Sequence, residues 1–210
     1  MNDIICFIYK WQPLIGAVIG GVFALFVALV VAYKSRRYEQ SVSAILLIPD
    51  LLQLHISQDK IEEYAETYNI PEDNRDHWMA SHLIEFRPKL SPLYEVSMSR
   101  VMPIHPALAA HLNFVIKFYN SVEERLKKLE ENMQNYKKTG HYLIDNEQFI
   151  FLIKIIREDM RKISKHSICA NNLLDKLVIC KLSFIYRILY SFRKPFGIGE
   201  CGELLKTGIA

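Results

Sequence analysis

A glycine pattern near the C-terminal end has the spacing of a cofactor-binding loop. Residues 197–202 read GIGECG, which fits the G-x-G-x-x-G fingerprint of dinucleotide-binding proteins. That fingerprint requires a strand before it and a helix after it, because the N-terminus of the helix holds the pyrophosphate. Here the pattern follows an amphipathic stretch with helical spacing, and few residues come after it. We therefore predict no dinucleotide site and no other cofactor.

A second polar cluster, DHWMASH at residues 76–82, has side chains that metals prefer. His77 and His82 are five residues apart, which misses the i, i+4 spacing that places two histidines on one helix face to bind zinc. No pair of cysteines has the C-x-x-C spacing of a zinc site. No serine or cysteine lies in a G-x-S-x-G nucleophile elbow. The sequence therefore predicts no metal site and no nucleophile of that kind.

The stretch RKISKH pairs Arg161 with His166, separated by four residues. This spacing resembles the signature of the HEPN ribonucleases, a helical family. The resemblance implies that the pair would activate a ribose 2′-hydroxyl and support the phosphate, usually across a dimer. The other interpretation is a half-buried histidine with a hydrogen-bond partner, and we adopt it, so that no residue is predicted to be catalytic. The same kind of spacing recurs in two other pairs, Arg75 with His82 and Arg100 with His105.

The N-terminal part of the chain carries an apolar run of the length that crosses a bilayer. Leu14 to Tyr33 contains no charged residue, and about 20 helical residues span about 30 Å. The run is longer than the apolar region of a signal peptide, and the segment before it contains one lysine, Lys10, and one aspartate, Asp3, instead of a basic start. We predict a transmembrane helix over residues 13–33, preceded by a short external segment, residues 1–12. Trp11 and Tyr33 flank the run, at the level where amphipathic rings prefer the membrane interface.

Positive charges directly after the run predict its orientation. Lys34, Arg36 and Arg37 follow the apolar segment, and such clusters collect on the cytoplasmic side of a membrane. We therefore expect a single-pass protein of the cell inner membrane whose C-terminal domain is cytoplasmic. We interpret the cysteines as free thiols, which fits a reducing compartment. They are Cys6, Cys169, Cys180 and Cys201.

Small residues recur at every fourth position within the predicted span. Residues four apart lie along one slightly drifting face of a helix. In lipid, close backbone approach over small residues supplies packing energy that burial of apolar groups cannot. The pattern predicts helix–helix association and a homo-oligomer, although glycine and alanine are also common in membrane spans. The positions are Gly16, Gly20, Ala24, Ala28 and Ala32.

The remainder of the chain shows helical periodicity and no strand-like alternation, so we predict an all-α fold. The helix that leaves the membrane is expected to end or kink near Pro49. Residues 34–194 are predicted to form a cytoplasmic helical bundle, and residues 195–210 a flexible tail. Residues 177–192 form an amphipathic stretch that either closes the bundle core or lies on the inner leaflet.

One heptad pattern is long enough to predict a helix with definite ends. It starts at Pro106 and stops at Gly140, and a second helix begins after Asp145 or Asn146. The connecting loop is short, so the two helices are predicted to form a long antiparallel hairpin. The heptad positions are Leu108, Leu112, Val115, Tyr119, Val122, Leu126 and Leu129.

Residues 91–131, together with the N-terminal span, are similar to a group of uncharacterised bacterial proteins that have one N-terminal span and a helical domain. The resemblance implies no activity and transfers no functional residue. In layout alone the chain also resembles the membrane-pore accessory protein of RNA-targeting CRISPR systems, which joins one span to a HEPN-like domain. The residues shared with the bacterial group are Tyr94, Arg100, Pro103, Phe118 and Tyr119.

These features together predict a membrane-anchored, self-associating helical protein that is not an enzyme. One concrete form is an effector of bacterial anti-phage defence that perturbs the membrane when it oligomerises. Two alternatives stay open: a membrane-anchored HEPN-type ribonuclease that uses Arg161 and His166, and a plain scaffold whose heptad seam binds a partner helix. The partners expected are the lipid bilayer and a second copy of the chain, with a protein partner and nucleic acid left open.

Overall fold

The computed structural model describes residues 2–67 and 72–179, which are almost entirely helical. No β-strand occurs among these described residues, so the prediction of an all-α fold is confirmed. The predictions for the amphipathic stretch from residue 180 onward and for the tail lie outside the described residues. The elements are α1 (Asn2–Thr67), α2 (Glu72–Glu85), α3 (Tyr94–Val101), a 3₁₀ turn (Met102–Ile104), α4 (Pro106–Thr139), α5 (Asn146–Leu174) and a π-helical turn (Asp175–Ile179).

The chain divides after Gln40 into two units. In the first unit, the side chains from Gly16 to Glu39 are all exposed. The second unit begins at Ser41 and contains α2 to α5 and the buried core, whose first member along the chain is Ala44. The packed core therefore belongs to the second unit.

Helix α1 passes through Pro49 and does not end there, so of the expected end or kink the end is wrong and the kink stays a prediction. The helix extends to Thr67. Pro49 removes one backbone hydrogen bond, but its side chain is exposed on the outer side of the helix. Leu47 and Leu51, on either side of it, are at most 1% exposed. Burial of these side chains offsets the lost hydrogen bond, because most helical stability in a protein comes from packing of the apolar face.

A buried carboxylate joins α1 to the start of α3. Asp50 is 6% exposed, and it accepts hydrogen bonds from the backbone N–H of Ser91 at 3.2 Å and from the Ser91 hydroxyl at 2.7 Å. Charge-assisted bonds of this kind offset the cost of removing a carboxylate from water. Tyr94 packs nearby, and burial, with a smaller contribution from Asp50, raises the pKa of its phenol.

The predicted antiparallel hairpin is formed by α4 and α5, and its ends lie where the sequence places them. Helix α4 starts at Pro106 and stops before Gly140, which has the left-handed φ of 74° that suits glycine at the end of a helix. Helix α5 starts after Asp145, whose carboxylate accepts a hydrogen bond from the N–H of Gln148 at 2.7 Å. These caps satisfy backbone groups that the helix ends leave without an intrahelical partner.

The heptad seam of α4 is buried within the hairpin, as the sequence predicts. Each of its aliphatic members is at most 2% exposed, and Tyr119 is half-buried. The facing residues of α5 include Ile156 and Ile163, both fully buried. An ion pair between Arg125 of α4 and Asp159 of α5 crosses the same interface. The hairpin therefore supplies a large part of the core of the second unit.

Candidate functional site

An exposed apolar segment of α1 is a candidate interaction surface in the described part of the chain. Among the described helices, only α1 contains a stretch, within Gly16–Ile61, that is long and apolar enough to cross a membrane. Large side chains such as Phe23, Leu25 and Phe26 are 67%, 64% and 61% exposed. Apolar side chains left this exposed need a cover, because a contiguous apolar surface in water is unfavourable. A bilayer supplies such a cover along a whole helix.

The small residues in this segment are exposed and do not pack against the described part of the chain. All five positions of the predicted stripe are exposed. A Cβ atom added at Gly16 or Gly20 would meet no other atom within 4 Å. No contact with the described residues therefore requires a small residue at these two positions. The contact that would use Gly16, Gly20, Ala24, Ala28 and Ala32 is a contact with another helix.

Tyr33, Lys34, Arg36 and Arg37, four of the residues predicted at the membrane interface, lie close together in the sequence at the end of the apolar run. The guanidinium of Arg37 donates a hydrogen bond to the Tyr33 hydroxyl at 3.0 Å. The same guanidinium lies 5.3 Å from the centre of the Tyr33 ring, within cation–π range. Lys34 and Arg36, which lie between Tyr33 and Arg37 in the sequence, are exposed. Trp11, before the start of the apolar run, is 43% exposed. The amphipathic ring of Tyr33 and three cations therefore occur together at this end of the run. Such side chains are favourable at the level of lipid headgroups.

The structure does not bring Arg161 and His166 to one surface. Five residues along a helix correspond to a rotation of about 140°. Arg161 is exposed, whereas His166 is 3% exposed. A ribonuclease pair needs both side chains at the substrate phosphate, so this geometry favours the interpretation of His166 as a packed histidine with a hydrogen-bond partner.

The partner of His166 is a second buried histidine, which the sequence analysis did not single out. The Nδ1 atoms of His111 on α4 and His166 on α5 are 2.9 Å apart. His111 is 1% exposed, and Phe114 stacks on the His166 ring at 4.9 Å between centroids. Burial lowers the pKa of His166 below its ordinary value. No sequence pattern relates residues that are 55 positions apart, so only the fold reveals the pair.

A serine, a histidine and an aspartate also come together between α1 and α5. Nδ1 of His55 lies 2.8 Å from the hydroxyl of Ser164, and Nε2 of His55 lies 3.2 Å from Asp59. These residue types resemble a hydrolase triad. Ser164 is nevertheless 6% exposed in the middle of α5, where backbone N–H groups are used by the helix and cannot stabilise an oxyanion. The contact therefore acts as a polar link between two helices.

The polar cluster at residues 76–82 has separate partners for its histidines. Nδ1 of His77 forms a hydrogen bond with the hydroxyl of Tyr142 at 2.8 Å. Nδ1 of His82 lies 3.0 Å from the backbone oxygen of Trp78, and the rings of these two residues stack. Among the described side chains there is no group of three or more residues that could hold a metal ion. His77 thus connects α2 to the loop between α4 and α5, whereas His82 contacts Trp78 within α2.

The prediction of four free thiols is wrong, because Cys169 is disulfide-bonded. Spacing along the sequence shows which cysteines could form a local pair, whereas a disulfide requires Cα atoms within about 7 Å in the fold. The other three cysteines lie outside the residues whose side chains are described. The argument from reduced thiols for a cytoplasmic location is lost, and that location now depends on the basic cluster after the apolar run.

Comparison of the chain with protein-family models, with curated proteins and with solved structures gives no match.

Proposed function

We propose that the protein is a membrane-anchored helical module that self-associates through its N-terminal helix and acts without catalysis. The observation that carries the proposal is the segment from Gly16 to Glu39, in which every side chain is exposed although most are apolar. The first part of α1 is the anchor and the small-residue stripe is the contact between copies. The basic cluster, Lys34 with Arg36 and Arg37, keeps the helical domain on the cytoplasmic side of the inner membrane.

In its most concrete form, the proposal is an effector of bacterial defence against phage. The helical unit would sense a cytoplasmic signal, and oligomers of the span would then perturb the membrane. What supports this form is the layout of the chain: one span, a stripe suited to helix association, and a packed helical unit after it. It does not require any catalytic residue.

The structure offers little support for the two alternatives. The heptad seam proposed to bind a partner helix is buried inside the protein's own hairpin, so a partner would have to displace α5 to reach it. The Arg161–His166 pair is divided between the surface and the core. Neither the scaffold nor the ribonuclease gains an observation in its favour.

Changing both Gly16 and Gly20 to isoleucine is expected to abolish self-association. Added side chains would hold two helices apart, while the protomer has open space at both positions. We expect the purified protein in detergent to shift from an oligomer to a monomer in light scattering, with at least a tenfold weaker association. Any growth defect on overexpression should disappear with it.

Val18 and Val22 provide the matched control, because each lies about 200° around the helix from its neighbour in the stripe. Changing both valines to isoleucine adds bulk on the opposite face, and we expect the oligomer to persist. An oligomer of unchanged size in the glycine variant would show that the stripe is not the interface. Loss of the oligomer in both variants would assign the effect to the span as a whole.

A further inference from the structure

The contact between His111 and His166 lies at one particular place in the hairpin. His111 is in the first turns of α4, and His166 is near the end of α5. The two helices run antiparallel, so the contact is remote from the connecting loop at residues 140–145. The contact therefore links α4 to α5 at the end of the hairpin opposite the connecting loop, which we call the open end. No loop connects the two helices there.

The chemistry of the contact makes it sensitive to protons. A hydrogen bond between two imidazole nitrogens requires one N–H and one lone pair. A bridge 2.9 Å long therefore cannot survive when both facing nitrogens carry a proton. Double protonation would also place two positive charges side by side in a buried site, which is strongly unfavourable.

The charged and titratable groups described around the contact come from α5, from α1, from α2 and from the segment between α2 and α4. From α5, Lys162 approaches the neighbouring Phe118 ring at 5.5 Å and is itself a cation. Lys165 is exposed on the same helix, and from α1 the carboxylate of Asp59 contacts His55 and that of Asp50 accepts from Ser91. Helix α2 carries Arg75, Asp76, His77, His82 and Glu85, of which His77 and His82 have the partners described above. Glu95 and Arg100 of α3 and His105 before α4 are exposed.

We propose that the His111–His166 bridge is an acid-released latch that holds the open end of the α4–α5 hairpin closed. Near neutral pH, one ring donates to the other and the helices stay packed against Phe114 and Phe118. In acid, the rings take up protons, the bridge breaks and this end of the hairpin separates. The end nearer the loop, held by Leu129, Ile156 and their neighbours, stays packed.

The direction of the pH effect follows from proton binding. Burial lowers the pKa of His166 below its ordinary value of about 6.5. At pH values between the lowered pKa of His166 and about 6.5, the hairpin with separated helices binds a proton that the packed hairpin does not bind. The opening equilibrium constant therefore rises as the pH falls through this window, by up to about tenfold per pH unit for each proton taken up.

Hydrogen exchange of the full chain in detergent micelles tests the latch. Amide protection would be measured at pH 7.5 and pH 5.0, after correction for the intrinsic exchange rate. We expect peptides covering 107–116 and 161–172 to lose at least tenfold in protection in acid. Peptides covering 122–133 and 149–158, nearer the loop, should change much less.

Variants separate this pair from other acid effects. Changing both His111 and His166 to glutamine leaves groups that hydrogen-bond but cannot charge, so we expect the pH dependence at the open end to vanish. His166→Gln alone, which keeps a partner for His111, should remove a large part of it if the double variant fails to fold. The control His55→Gln removes a neighbouring histidine and should keep the wild-type response.

Equal protection of the wild-type open end at both pH values would overturn the proposal. It would also be overturned if the glutamine variants lost as much protection in acid as the wild type, or if His55→Gln abolished the response. The latch lies in the helical unit, so these results do not depend on whether the N-terminal helix self-associates.

Discussion

Replacing Leu129 by alanine is expected to lower the free energy of unfolding by about 2–5 kcal/mol. Leu129 is fully buried in the heptad seam of α4. The change removes the transfer free energy of the deleted groups and leaves a cavity that a close-packed hairpin cannot fill completely. Denaturant unfolding of the full chain in detergent, followed by circular dichroism, would measure the difference.

Lys127 supplies the matched control for this substitution. It lies on the same helix two residues earlier, and its side chain is exposed. Lys127→Ala should change the free energy of unfolding by no more than about 0.5 kcal/mol. A loss below about 1 kcal/mol for Leu129→Ala would mean that the seam is not part of the core, and it would reopen the interpretation that it binds a partner helix.

Replacing Phe26 by arginine should remove most of the protein from the membrane. Phe26 lies inside the predicted span and is 61% exposed, on the side of the helix away from Ala24. A charge near the centre of a span costs about 2.5–3.5 kcal/mol on insertion scales, roughly a hundredfold in the insertion equilibrium. We expect the variant to leave the membrane fraction during carbonate extraction or to be degraded.

Ser35→Arg is the control, because position 35 already lies in the basic cluster between Lys34 and Arg36. An additional cation there reinforces the charge asymmetry that orients the helix and should leave extraction unchanged. If Phe26→Arg remained in the membrane fraction as fully as Ser35→Arg, the apolar run would not be a span.

Local sequence signals were sufficient where the structure depends on neighbours in the chain. Pro106, Gly140 and Asp145 mark the ends of α4 and α5 because first-turn proline, left-handed glycine and an N-cap carboxylate each satisfy a local backbone requirement. The seam from Leu108 to Leu129 could be read from its heptad spacing alone. These features predicted the all-α fold and the hairpin.

The features that sequence reasoning missed depend on tertiary contacts. Proline normally ends or kinks a helix, but Leu47 and Leu51 keep α1 continuous through Pro49 because they are buried by the rest of the second unit. His111 meets His166 only when α4 and α5 are folded against each other. No periodicity or motif contains this kind of information.

Cys169 shows the same limit for a covalent bond. Spacing along the sequence did not predict this disulfide, because its formation depends on the distance between two Cα atoms in the fold. The stripe from Gly16 to Ala32 is a different case. Its residue types predicted association between helices, and its positions are exposed on α1. A contact between two copies of the chain is not a property of one protomer, so the association stays a prediction.

The most direct test of the account is protease treatment of intact spheroplasts that express the full chain with a C-terminal tag. The account predicts that the tag is found with the membranes, survives protease added from outside, and is digested only after the spheroplasts are lysed. Digestion of the tag from intact spheroplasts, or recovery of the full chain in the soluble fraction without detergent, would contradict it.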